Sequence, residues 1–167
     1  MEESNIIVKI LHPNDWEGYK GLRLESLLHE PLAFGSDYNE EKNLNHTDWQ
    51  KRLADWVIYG AFNADILIGL LSVVPDTSLK FAHTASVVGV HVLPAYEKKG
   101  ICKILFAQMF QGLLERKILK ISLMVTVVQI RAISTYLALG FQIVGMAKSQ
   151  LFYNGIYYDM YYMEKYV

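Results

Sequence analysis

The stretch that decides the fold is residues 90–103, VHVLPAYEKKGICK, in which a strand pattern gives way to a helix pattern. The β-rich run that begins at Phe81 ends at Val92, and a helix predicted to begin at Ile101 follows after a short turn. The first turn of a helix presents unpaired backbone N–H groups and the positive end of the helix dipole. Because Gly100 permits close approach to the backbone, this junction is a candidate ligand site.

Positive charge is concentrated in the same turn, on Lys98, Lys99 and Lys103. A helix N-terminus flanked by lysines suits a phosphate or pyrophosphate group, although a solvated turn whose lysines only aid solubility has the same composition. Neither of the common nucleotide signatures, G-x-x-x-x-G-K-S/T and G-x-G-x-x-G, occurs in the sequence. An anion site here therefore belongs to another class.

Two segments carry a family resemblance. Residues 92–102, VLPAYEKKGIC, resemble the acetyl-CoA pyrophosphate motif V-x-P-x-Y/W-R/Q-x-x-G-x-G/A of the GNAT acetyltransferase superfamily. Residues 129–141, QIRAISTYLALGF, resemble the family's motif N-x-x-A-x-x-x-Y-x-x-x-G-F. The two segments occur in the family's order, and the predicted order of elements also fits. The resemblance thus covers nearly the whole chain.

The resemblance implies that acetyl-CoA is bound as a co-substrate. The backbone of residues 90–92 would pair with its pantetheine arm, and the amides of residues 98–103 would hold its pyrophosphate. Gln129 stands where the family usually has an asparagine that holds the cofactor arm, and Tyr136 stands where it often has the tyrosine that protonates the departing CoA thiolate. The implied cofactor-binding residues are Val90, His91, Val92, Lys98, Lys99, Gly100, Ile101, Cys102, Lys103 and Gln129, with Tyr136 as the catalytic residue and no metal.

Helix geometry agrees with part of this assignment. Gln129 and Tyr136 are seven residues apart in a predicted helix, which places them within about 20° of each other around its axis. Their separation along the axis is roughly 10 Å. One face of this helix can therefore hold a polar anchor and a phenol along an extended ligand. The alternative is that Tyr136 is a packing residue at a helix end.

Three residues depart from the family's motifs. Glu97 replaces the usual Arg or Gln, and we expect its carboxylate to point to solvent or to pair with a lysine. Cys102 replaces a small Gly or Ala, and its place in the first helical turn could favour a thiolate. A route through an acetylated Cys102 is nevertheless disfavoured, because this position belongs to the pyrophosphate. Gln129 is one methylene longer than the usual asparagine.

The sequence leaves the general base open. A lysine-like amine has a pKa near 10.4 and must lose a proton before it attacks. The positions where many relatives carry a carboxylate correspond to Ala85 and Met124, which cannot accept a proton. His83 and His91 would share one face of an unbulged strand. Either histidine, or a chain of water molecules, could serve as the base.

The remaining pattern predicts the order β-α-α-β-β-β-α-β-α-β-β in one domain spanning residues 1–167. This order predicts a GNAT-like α/β (α+β) fold, with a mixed, mostly antiparallel central sheet of about seven strands flanked by about four helices. A helix over residues 47–54 is expected to be capped by Thr47, and a strand is expected over residues 81–92. Aromatic residues are candidates to line an acceptor site, namely Phe34, Tyr38, Trp56 and Tyr59.

Composition excludes several classes. Sixteen Lys and Arg face 17 Asp and Glu, which argues against nucleic-acid binding through bulk positive charge. A single cysteine rules out an intramolecular disulfide or a multi-cysteine zinc site. The longest apolar run, residues 66–74, is shorter than the roughly 20 residues that span a membrane. We expect a cytoplasmic protein without a membrane partner, and a homodimer is left open.

The function that these observations favour is an N-acetyltransferase. It would move an acetyl group from acetyl-CoA to a primary amine of a small molecule or peptide, by direct attack in a ternary complex. The alternative is a non-catalytic acyl-CoA-binding or regulatory module on the same fold, suggested by the missing carboxylate base. A third hypothesis is an interaction domain without a cofactor, suggested by the tyrosine-rich C-terminus.

Overall fold

The computed structural model describes residues 6–167 and contains a seven-stranded mixed sheet with five α-helices. The strands are β1 Ile6–Ile10, β2 Val57–Asn63, β3 Ile66–Pro75, β4 Thr84–Val92, β5 Lys120–Thr126, β6 Gln142–Tyr153 and β7 Ile156–Tyr166. The helices are α1 Trp16–His29, α2 Tyr38–Glu41, α3 His46–Asp55, α4 Ile101–Glu115 and α5 Ile130–Ala138. The predicted mixed α/β fold is confirmed, with the short α2 as the one additional helix.

The sheet opens at one place. Its strand order is β1-β2-β3-β4-β5-β7-β6, and every neighbouring pair is antiparallel except β4 and β5. These two parallel strands pair only over residues 84–87 of β4 and 120–123 of β5. Beyond these residues the described strands no longer pair with each other, so a gap opens between their C-terminal halves.

A bulge in β4 decides which side chains face which side of the sheet. On β3, the consecutive residues Ser72 and Val73 pair with Gly89 and Val87, so Val88 is an extra residue. An inserted residue reverses the alternation of side chains along the strand. After the bulge, each side chain therefore faces the side of the sheet opposite to the one it would face in a regular strand.

The bulge separates the two histidines. Ala85 and Val87 are buried in the core beneath α4, and Val90 packs against that core. His91 instead lies on the opposite face, next to residues of α1. His83 precedes the first residue of β4 and belongs to a turn. The expectation that the two histidines share a face is wrong, because it assumed an unbulged strand.

The two faces of the sheet bury separate cores. Beneath α4, the buried residues of the helix recur four apart: Ile101, Leu105, Met109 and Leu113, all at most 2% exposed. On the other face, α1 and α3 pack on β2 and β3 through Tyr19, Leu22, Trp49, Leu53, Ile58 and Leu70. Both layers hold the sheet in place around the gap between β4 and β5.

Two predicted boundaries are corrected. The cap of α3 is Asn45 rather than Thr47: its Oδ1 accepts from the Asp48 N–H at 3.1 Å, and Oδ2 of Asp48 accepts from the Asn45 N–H at 3.0 Å. This reciprocal pair satisfies two donors at once and starts the helix at His46, so Thr47 lies inside the first turn. Strand β4 starts at Thr84 rather than at the predicted Phe81, because the Thr84 N–H donates to the Phe81 carbonyl at 2.8 Å in a turn.

A buried ion cluster joins α1, α2 and α3. The Glu41 carboxylate accepts from Nε and Nη2 of Arg23 at 3.1 and 2.9 Å, and from Nη1 of Arg52 at 2.9 Å. The Arg23 guanidinium lies 4.5 Å from the ring centre of Phe34, and that of Arg52 lies 4.9 Å from the ring of Trp49. The cluster therefore fixes the segment between α1 and α3 on the body of the protein.

We expect this cluster to make stability depend on acid pH. Burial alone raises the pKa of Glu41, but the hydrogen bonds and charges of Arg23 and Arg52 outweigh it and lower the pKa below its ordinary 4.5. A lowered pKa gives stability that is fully present above the unfolded value and is lost as the pH falls through the folded one. Urea unfolding below pH 4.5 should therefore show a falling free energy of unfolding, and Glu41→Gln should show a shallower fall. Equal slopes for both proteins would contradict this origin.

No helix within residues 6–167 is both long enough and apolar enough to cross a bilayer.

Candidate active site

A groove of about 890 Å³ lies where β4 and β5 separate. It is lined by the end of α1 and the segment that follows, by β4 and β5, by the start of α5 and by the β6–β7 hairpin. Phe34, Tyr38 and Trp56 line it as expected, whereas Tyr59 is buried in the core beneath α4. The groove has the dimensions of a small-molecule site.

Helix α5 brings both of its predicted site residues to this groove. Gln129 is the N-cap of α5, and its side chain makes no capping hydrogen bond, so its amide is free to face a ligand. Tyr136 packs its ring at 5.9 Å from both Phe106 and Phe141, measured between ring centres. Within residues 6–167 its hydroxyl makes no hydrogen bond. Burial raises the pKa of Tyr136, so its phenol stays protonated at neutral pH and can donate.

The N-terminus of α4 is open. Gly100 is its N-cap in the left-handed region, with φ 80°, and Lys98 shares that region with φ 59°. The first hydrogen bond of the helix runs from the Ile104 N–H to the Gly100 carbonyl at 3.1 Å. In the described part of the chain, nothing accepts from the N–H groups of residues 101–103, and no side chain caps the helix. A Cβ added at Gly100 would meet no atom within 4 Å.

Glu97, in the loop before α4, does not have the surroundings that we expected. Its Oε2 accepts from Nη2 of Arg131 at 2.6 Å, so the expected orientation toward solvent or a lysine is wrong. This pair joins the loop before α4 to the first turn of α5, and it leaves the loop's lysines free of the carboxylate. None of Lys98, Lys99 and Lys103 forms an ion pair with another described residue.

Cys102 lies in the first turn of α4 and is partly buried. Burial raises the pKa of its thiol to about 11. The thiol is therefore neutral at physiological pH, and the suggestion that its helical position favours a thiolate is wrong. Desolvation outweighs the helix dipole at this position.

The structure shows which of the candidate positions for the general base lie at the groove. His83 does not line the groove, and its carbonyl accepts from the Leu119 N–H at 2.8 Å in a turn. Met124 lines the groove without a group that accepts a proton. Sequence reasoning missed the hydroxyls of Ser86 and Ser122, whose Oγ atoms lie 3.3 Å apart where β4 meets β5. Only the pairing of the two strands brings these serines together.

Sequence reasoning also missed Glu30, the C-cap of α1, which lines the groove. The carboxylate Oε2 of Glu30 is 3.9 Å from Nδ1 of the buried His91. The available signal was a carboxylate placed between a helix end and Pro31, in a segment that must turn. That signal does not say which surface the turn faces.

Comparison with protein families decides the class. The sequence model of the acetyltransferase (GNAT) family matches residues 23–141. The chain belongs to the GNAT acetyltransferase family. It is therefore an acyltransferase that uses acetyl-CoA, as the two motifs implied. No curated protein matches the sequence significantly.

Solved structures agree with the GNAT fold. A GNAT acetyltransferase from Streptococcus pneumoniae has a TM-score of 0.85 at 16% identity, covering 98% of this chain and 100% of that one. A Salmonella typhimurium protein described as an acetyltransferase, solved with its cofactor acetyl-CoA, has 0.80 at 15%, covering 98% and 94%. Ribosomal-protein-alanine N-acetyltransferase from Brucella melitensis has 0.80 at 18%, covering 96% and 99%. At these identities the likeness establishes the fold alone.

The residues of this GNAT protein fit acetyl-CoA. The open N-terminus of α4 and its unpaired lysines match the negative charge of a pyrophosphate. Beyond Val87 the backbone edge of β4 is not paired with β5, so it is available to an extended ligand. Val90 lines the groove on that stretch.

We expect Gly100→Ala to weaken the binding of acetyl-CoA. A methyl group would enter the open space at the start of α4, and a left-handed alanine costs roughly 1 kcal/mol. The Kd should rise about fivefold or more, which corresponds to about 1 kcal/mol. Gly145→Ala is the matched control, because Gly145 also has open surroundings but no left-handed φ. Calorimetric titration that gives one Kd for both variants would contradict this role of Gly100.

Proposed function

We propose that the chain, as a single domain of residues 1–167, transfers an acetyl group from acetyl-CoA to a primary amine of a small molecule or peptide. The proposed reaction is direct attack by the amine in a ternary complex. The observation that carries this proposal is the groove between β4 and β5, which is lined by the free amide of Gln129 and the phenol of Tyr136. A binding anchor and a proton donor therefore face the same space.

The proposed holding residues lie on three elements. The backbone of Val90, His91 and Val92 would pair along the ligand, the N–H groups and lysines of residues 98–103 would hold the pyrophosphate, and Gln129 would hold the arm. Bound acetyl-CoA supplies a thioester whose carbonyl carbon an amine can attack. The protein's task is then to place the amine and the thioester together and to move protons.

Tyr136 is the proposed proton donor. Its phenol is protonated at neutral pH, and its hydroxyl forms no hydrogen bond with a described residue. Phe106 and Phe141 pack against the ring, and Tyr136 lines the groove. Donation from this O–H to the departing sulfur would avoid the release of a bare thiolate.

Removal of the amine proton is proposed to use water. Ala85 and Met124 cannot accept a proton, and His83 lies away from the groove. The hydroxyls of Ser86 and Ser122 provide polar groups on the groove wall from which a water chain can run to solvent. This route needs no ionisable side chain in contact with the reacting nitrogen.

The second candidate is a non-catalytic acyl-CoA-binding module on the GNAT fold. The absence of a carboxylate at positions 85 and 124 favours it. A panel of primary amines, read by the release of free thiol, separates the two functions. Turnover above hydrolysis with any amine supports the transferase, whereas binding of acetyl-CoA without turnover supports the module.

The cytoplasmic location, the absence of a nucleic-acid partner and the choice between monomer and homodimer remain predictions from the sequence.

A further inference from the structure

The charged residues that line the groove are mostly acidic. Within residues 6–167 they are Arg23, Glu30, Asp37 and Glu40. Arg23 is buried and already paired with Glu41, so it offers no positive charge to a ligand. The other three charged residues of the groove wall are acidic. A groove of this kind attracts cations and repels anionic acceptors.

The groove residue Glu30 lies next to a buried histidine, His91. The residue is 4% exposed, and neither ring nitrogen has a hydrogen-bond partner among the described residues. Buried polar atoms without partners are rare and need an explanation. Nδ1 of His91 is directed at Glu30, 3.9 Å from Oε2, which is beyond hydrogen-bond length. The buried ring thus lies beside the Glu30 carboxylate, and the Glu30 side chain is 42% exposed and lines the groove.

The surroundings of Glu30 favour its charged form. The adjacent His91 lowers the pKa of Glu30, burial opposes it, and the charges of Arg131 and His29 add to the lowering. Glu30 is therefore an anion at neutral pH. It is a good partner for a group that stays positively charged.

The reacting nitrogen is not that group. An opposite charge nearby favours the protonated form of an amine, and the protonated form cannot attack. Glu30 therefore suits a second cationic group on the acceptor. The acidic lining at Asp37 and Glu40 acts in the same direction.

We propose that the acceptor is a linear alkyl diamine or polyamine, that Glu30 binds the ammonium group that does not react, and that His91 is a positioning residue for Glu30. This inference rests on the proposed transferase function and names its substrate class. The acceptor would lie along the groove with its reacting nitrogen toward Tyr136.

The test compares putrescine with butylamine, which has the same number of carbons and one amine fewer. We expect the unsubstituted protein to prefer putrescine about tenfold in kcat/KM, equivalent to about 1.4 kcal/mol. Glu30→Gln should remove this preference, chiefly by raising the KM for putrescine, and should change butylamine kinetics less than about twofold. Glu25→Gln is the control, since Glu25 is on α1 but does not line the groove.

Variants of His91 test the positioning role. His91→Leu should raise the KM for putrescine in the same direction as Glu30→Gln, and the double variant should be no worse than Glu30→Gln alone. His91→Gln, which restores a polar group, should recover part of the loss. Melting temperature and acetyl-CoA affinity identify any variant that fails to fold. A misfolded His91→Leu leaves the comparison of Glu30→Gln with Glu25→Gln decisive.

The outcomes are distinct. Equal losses for both amines in Glu30→Gln would overturn the anchor role and indicate a role in proton removal. Turnover that favours butylamine, or a lysine-containing peptide over putrescine, would overturn the substrate class. If no amine of any kind gives thiol release above hydrolysis, the proposed transferase function is refuted, and this inference with it.

Discussion

Replacement of Tyr136 by phenylalanine is expected to lower kcat about 100-fold or more and to leave the Kd of acetyl-CoA within about twofold, since a positioned proton donor contributes factors of that size. The change deletes only the hydroxyl. The ring would keep its contacts with Phe106 and Phe141, so the melting temperature should stay close to that of the unsubstituted protein.

Steady-state kinetics and calorimetry on the same preparation check this prediction. Tyr166→Phe is the control, because it removes a hydroxyl from a tyrosine that is 75% exposed and outside the groove. If Tyr136→Phe kept the kcat of the unsubstituted protein, Tyr136 would be a packing residue at the end of α5. A rise in Kd with unchanged kcat would make it a binding residue instead.

Replacement of Glu41 by glutamine is expected to reduce the free energy of unfolding by about 3–5 kcal/mol, the usual effect of removing one partner from a buried ion pair. Arg23 and Arg52 would keep their charges in a buried setting without the carboxylate that compensates them. For a domain of this size the change is a large part of the total stability.

Urea unfolding measures the effect. Glu40→Gln is the matched control, because Glu40 is the neighbouring residue on α2 but is exposed and unpaired among the described residues. The control should change stability by less than about 0.5 kcal/mol. A loss below about 1 kcal/mol in Glu41→Gln would mean that the cluster contributes little to stability.

The sequence predicts the fold well where local pattern decides it. The order of strands and helices and the four-residue spacing of apolar side chains along α4 are local signals. The two motifs also predict that helices begin after Gly100 and Gln129, which are the N-cap positions of α4 and α5. Family, fold class and cofactor follow from these same segments.

Features that depend on pairing between distant segments are not predictable in this way. The bulge at Val88 forms only when β4 pairs with β3, and it places His91 on the face of the sheet that α1 covers. The partner of Glu97 is Arg131, which is distant in sequence and comes near only when α5 packs beside α4. Glu30 reaches the groove because the segment after α1 folds back, with the Thr126 hydroxyl donating to the Leu32 carbonyl at 3.3 Å.

Acetyl transfer to an amine can be tested in a single reaction. The purified chain is incubated with acetyl-CoA with and without a primary amine from the panel, and the products are followed by free thiol release and by mass spectrometry of the amine. We predict that thiol release exceeds hydrolysis only when an amine is present, in step with formation of its N-acetyl derivative. Thiol release that no amine accelerates, from a protein that binds acetyl-CoA, would contradict it.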